Sequence, residues 1–107
     1  MTELLYTIPV MTQNRETHWL PVNSIDFIEC DQSGYIGYAD HTMYNLISNF
    51  IFLGDALTAH GFIKGRSTLL NPNNVIALDH DLKIARYTGA DVILSQQQYK
   101  QIKKILK

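Results

Sequence analysis

The side chains of this chain that could do chemistry are unevenly placed along it. Residues 1–62 carry seven acids (Glu3, Glu16, Asp26, Glu29, Asp31, Asp40 and Asp55) against Arg15 alone. Residues 63–107 carry Lys64, Arg66, Lys83, Arg86, Lys100, Lys103, Lys104 and Lys107 against Asp79, Asp81 and Asp91. The overall charge of −1 averages over this split. A cationic surface facing a polyanion would produce such a pattern; so would clustering along the chain that disperses in space. Near the end, Lys100, Lys103, Lys104 and Lys107 fall on one helical arc, with Tyr99, Ile102, Ile105 and Leu106 opposite. Lysines there complement the helix dipole and aid solubility, or they contact phosphates. Both readings stand at this point.

Other chemistries find little support. His18, His41, His60 and His80 lie in separate segments without metal-ligand spacing, and Cys30 is the only cysteine, so no zinc or disulfide framework is expected. Asp79 and Asp81 flank a turn, where carboxylates commonly bond their own backbone. Cys30 reads as a small core residue and Trp19 as a packing residue. Gly61-Phe62-Ile63-Lys64-Gly65 lacks the ending of a phosphate loop. The expectation is no enzyme, no cofactor and no metal. With no apolar run of membrane length and no leader-like start, the expectation is a cytoplasmic protein without membrane insertion. A length of 107 residues leads to the expectation of one domain, 1–107.

The elements that must position these groups are mostly strands. Residues 4–11 and 17–20 form a hairpin, with Pro9 marking an edge or a bulge. Residues 25–30 form a strand, and residues 35–39 and 42–46 a tight hairpin across Asp40-His41. Ser48 caps a helix that ends at Gly61, its buried stripe being Ile51, Phe52, Ala56, Leu57 and Ala59. An extended stretch interrupted by Gly65 follows, then a turn at Asn71-Pro72-Asn73-Asn74. A hairpin crosses Asp79-His80-Asp81, residues 92–94 make a last strand, and Ser95 caps the final helix.

Four segments in this order carry a resemblance: Ile25-Asp26-Phe27-Ile28-Glu29-Cys30; the passage from Leu57 to Phe62; Lys64-Gly65-Arg66-Ser67-Thr68-Leu69-Leu70-Asn71-Pro72-Asn73-Asn74-Val75; and Ile93-Leu94-Ser95-Gln96-Gln97-Gln98-Tyr99. Together they resemble the motifs of LytTR domains. The resemblance implies a mainly β fold, an elongated β-β-β arrangement of about ten strands with short flanking helices. It further implies a bacterial, response-regulator-like DNA-binding protein that regulates transcription, here expected without the receiver domain to which the family is usually fused. Loops rather than a recognition helix would enter the DNA, with self-association on repeated sites and a regulatory protein as a possible further partner.

By that resemblance three corners face double-stranded DNA. Ser33, Gly34 and Tyr35 make the first, Tyr35 being equally readable as a strand aromatic on the apolar face. Lys64, Arg66 and Ser67 make the second. The planar fork of Arg66 suits a phosphate or a guanine edge, or else it sits in a surface ion pair. Gln96, Gln97 and Lys100 make the third. Glutamines stand where the family typically has arginine or lysine, and Gly65 where it has histidine. A glutamine can bond adenine but brings no charge. Asn71 is expected to fix its own turn. The competing reading, from the acidic first part and the glutamines, is a protein-interaction module, a regulator or anti-regulator with little DNA affinity.

Overall fold

The computed structural model describes residues 7–31, 34–47 and 50–105. Ten strands and two helices appear among them. The first hairpin joins β1 (Thr7–Met11) to β2 (Thr17–Pro21). Its turn is closed by bonds between Thr12 and Glu16 and by Arg15 in the left-handed region, at φ 67°. Next come β3 (Phe27–Asp31), β4 (Gly34–Ala39) and β5 (Thr42–Leu46). The β4–β5 turn is the two-residue kind read from Asp40-His41, and both residues have positive φ, as a turn matching strand twist requires.

Helix α1 (Phe50–Ala59) ends as Gly61 foretells. Phe62 N–H bonds the Leu57 carbonyl, Gly61 N–H bonds the Thr58 carbonyl, and Gly61 takes φ +95°. This is a Schellman stop, which only glycine enters freely. Of the expected stripe, Leu57 is buried, Ala56 half-buried and Ala59 exposed. Ser48 and the side chains of Ile51 and Phe52 lie outside the described residues. After β6 (Ile63–Lys64) and β7 (Thr68–Leu70) come β8 (Ala77–Asp79), β9 (Ile84–Arg86), β10 (Asp91–Ile93) and α2 (Gln96–Ile105).

The first seven strands form one antiparallel sheet in the order β2-β1-β5-β4-β3-β7-β6, and the last three a second in the order β10-β9-β8. Pro9, which has no N–H to give, lies where β5 does not reach, since β5 pairs only with Val10 and Met11. Alternation along β3 and β7 divides the core. Ile28 and Leu69 join Ile8, Val10, Val22, Ile25, Leu57 and Phe62 on one face, beneath α1. Phe27 and Leu70 join Ile63, Ala85, Tyr87, Val92, Leu94 and Ile102 on the other, beneath the second sheet and α2. Phe27 stacks on Tyr38 at 4.3 Å and meets Tyr87 at 5.2 Å, geometry that adds to simple burial.

Two expectations fail for one reason, that burial depends on what covers a face. The register of β1, β2 and β5 carries Trp19 and Met43 onto the Phe27 side of the large sheet, beyond the cover of the second sheet. Trp19 is accordingly 64% exposed and is not a packing residue. Ile105, expected on the buried arc of α2, is 51% exposed, and the arc is instead Gln98, Ile102 and half-buried Tyr99. Leu106 lies outside the described residues.

Candidate functional site

The β6–β7 hairpin projects Arg66 and Ser67 at its tip, both exposed. Gly65 N–H bonds the Thr68 carbonyl at 2.8 Å to close the tip, and Cys30 N–H on β3 bonds the Ser67 carbonyl at 2.8 Å. Cys30 is also the register partner of Tyr35 on β4, and Asp31 that of Gly34. The ends of two hairpins are therefore neighbours. Gly34 at φ +135° occupies a conformation that a side chain would strain. Tyr35 is half-buried. Ser33 lies outside the described residues.

The third corner arrives through α2. Ser95 Oγ accepts from Gln98 N–H at 3.2 Å, while Gln98 Oε1 accepts from Ser95 N–H at 3.1 Å. This reciprocal pair is a capping box, built on the Ser-x-x-Gln spacing. Gln98 Nε2 goes on to donate to Thr68 Oγ1 at 2.8 Å, on β7. The start of α2 is thus pinned to the root of the Arg66 tip, and Gln98 is only 4% exposed. A methyl group on Gly65 would overlap the Gln98 amide and come within 2.9 Å of Thr68 Oγ1. Glycine stands at 65 because the Gln98 amide occupies that space.

Between the tip and the helix lies an open groove of about 650 Å³, lined by Lys64, Gly65, Arg66, Ser95 and Gln97. Of the expected site residues, Lys64, Arg66 and Gln97 line it. Gln96, Ser67 and Lys100 are exposed on the same corners without lining it. Arg66 makes no ion pair among the described residues. Lys64 runs across α1, where a methyl on Gly54 would lie 3.5 Å from its Nζ. At 100° per residue Gln97, Lys100 and Lys104 share an arc of about 60° on α2. Lys103 is engaged elsewhere, its Nζ 5.9 Å from the Tyr99 ring with Lys83 at 5.8 Å. Half-buried Glu29 stands in register with Thr68, so the acidic part of the chain is not wholly separated from this corner.

Sequence reasoning grouped Gln98 with its two neighbours and passed over Thr68. The signal that finds them is the capping-box spacing, which marks the third glutamine of the run as the one turned inward.

The opposite end of the sheet has different chemistry. Asp26, 8% exposed, borders two clefts of about 330 and 290 Å³ near Asp40, His41 and Asn74. Burial pushes its carboxyl above the usual range, partly opposed by the hydrogen bond from Asn74 Nδ2 at 3.1 Å. Burial and the Asp26 charge likewise raise the Tyr87 hydroxyl, which donates to the Asn71 carbonyl. Asp79 is held below the usual range, chiefly by the Leu82 N–H, with Asp81 N–H and Arg86 adding to it. Asn71 is 3% exposed and fixes its turn as expected: Nδ2 donates to the Ile25 carbonyl at 2.9 Å and Oδ1 accepts from Asn73 N–H at 3.1 Å. Among the described residues no group of three His, Cys, Asp or Glu could hold a metal, and no helix is long and apolar enough to cross a membrane.

A solved LytTr DNA-binding domain from Bacillus cereus superposes on this chain with a TM-score of 0.73. The match covers 94% of this chain and 95% of that one, at 18% identity. The chain has the LytTR fold. No family sequence model matches it, and no curated protein does. The LytTR fold thus arises here from a sequence little like that of the Bacillus domain, with the groove formed between the β6–β7 tip and the start of α2.

Proposed function

We propose that this LytTR-fold chain is a sequence-specific DNA-binding regulator of transcription in the cytoplasm, acting as one domain over residues 1–107. The observation that carries this reading is Arg66, exposed and without an ion-pair partner among the described residues, on a groove whose other wall is Gln97. A guanidinium fork and a carboxamide are the side chains that bond base edges bidentately. Lys64, Lys100 and Lys104 supply charge for phosphates, and Gly34, Tyr35 and Ser67 flank them on the adjoining tips. The similar Bacillus domain, named for DNA binding, is the natural analogy.

Three to five phosphate contacts per copy would give a log–log salt slope of about −3 to −4.5. That is weak binding for one copy at physiological salt, so two copies on repeated sites are expected, each raising the other's effective concentration. The test is selection of duplexes from a random pool, followed by anisotropy on the winner and a scrambled control across a salt series. A preferred sequence with that slope supports the reading. Equal binding to both duplexes at every salt concentration removes it.

The exposed face bearing Trp19 and Met43 favours a second reading, a protein-interaction module. Capture of a stoichiometric protein partner together with no DNA shift at low salt would establish it.

A further inference from the structure

We propose that Gln98 is a positioning residue for DNA recognition: it bolts the start of α2 to the Arg66 hairpin, so that Gln97 and Arg66 meet a duplex as one rigid jaw. This rests on the reading of the groove as DNA-facing. Apolar packing of Ile63, Leu94 and Ile102 also joins β6 to α2, and Gln98 adds a directional polar link at the tip itself. Both polar atoms of the Gln98 side chain are engaged, Oε1 by Ser95 N–H and Nε2 by Thr68 Oγ1, while its backbone N–H donates to Ser95 Oγ. Gly65 leaves room for the amide at the root of the tip. The tip is held from its other side by the Cys30–Ser67 backbone bond. Gln98 itself, 4% exposed, cannot read a base. Its effect passes through the spacing of residues 66 and 97.

Recognition by two bidentate groups depends on their separation, because a fork that arrives displaced makes one hydrogen bond instead of two. Loosening the bolt should therefore cost discrimination and leave charge attraction alone.

The experiment uses the full chain with three substitutions. Thr68→Val removes the hydroxyl and keeps the shape, Thr68→Ser restores it, and Gly65→Ala displaces the amide. Anisotropy on a selected and a scrambled duplex should show the preference for the selected one falling by about fivefold or more in Thr68→Val and Gly65→Ala, and being kept in Thr68→Ser. The salt slope should stay as in the parent. A merely structural role would weaken both duplexes alike, and that result overturns the proposal, as does an unchanged preference in Thr68→Val. A second readout needs no DNA. Amide ¹⁵N relaxation should give rigid order parameters of about 0.85 for Ser67 and Gln97 in the parent and lower values for both in Thr68→Val. Unchanged values overturn the bolt. A parent protein that prefers no duplex overturns the DNA reading instead, while relaxation still decides whether the two corners move together.

Discussion

Two buried carboxamides hold two corners of this protein, and they serve different ends. Asn71 ties the turn after β7 to the start of β3, bonding the Ile25 carbonyl and the Asn73 N–H. Its own carbonyl receives the Tyr87 hydroxyl. Of these three partners only the Tyr87 hydroxyl is a side chain, and its ring belongs to the core. Gln98 has side-chain hydroxyls on two sides, Thr68 and Ser95, and an exposed cationic groove nearby. Satisfying a buried amide is required in both places. What differs is what each amide holds in place: folded core in the first case, and outward-facing arginine and glutamine in the second.

Substitutions can separate the two roles. The largest expected effect is at Asn71→Ala, which removes the acceptor of Asn73 N–H and leaves the buried Ile25 carbonyl only the longer contact from Asn74 Nδ2, and should cost about 2–4 kcal/mol in urea unfolding. Near-parental stability would mean that the turn holds without its amide. Arg66→Ala should leave stability within about 0.5 kcal/mol but remove about 1–3 kcal/mol of base discrimination, read as the affinity ratio for selected and scrambled duplexes. Ser95→Ala, which removes half of the capping box, should cost about 1 kcal/mol of stability. Lys100→Ala should weaken all duplexes alike and lower the salt slope by about 0.9.

A pH experiment probes the Asn71 side of the comparison. Asp26 has a folded-state pKa raised above 3.8, chiefly by burial, so folding favours its protonated form. Its contribution is most favourable below 3.8 and is lost as pH rises through the higher folded value. Asp26→Asn should therefore raise the melting temperature at pH 7, with the gain disappearing towards pH 3.8. A pH-independent difference would assign the effect to packing. The groove is distant in chemistry from this carboxylate, and its discrimination should not change.

The sequence yields the strands, the Asp40-His41 turn, the Gly61 stop and the Asn71 corner because each is written in local chemistry. Positive φ, a missing side chain or an amide beside a proline turn has few other uses. Arg66 and Gln97 come together in the structure, but their convergence rests on β3, β7 and α2 meeting, which no local pattern contains. Trp19 shows the limit most clearly. Alternation along β2 tells which residues share a face, whereas the short second sheet decides which part of that face is covered. Gln98 was recoverable from the Ser95 spacing, yet the two glutamines before it hide it in composition.

Trp19 is the sole tryptophan of the chain and stands in water on an edge strand. Its fluorescence will resemble that of free indole before and after denaturation, giving little signal for unfolding. The packed rings of Phe27, Tyr38 and Tyr87 make near-ultraviolet circular dichroism the better optical monitor of this core.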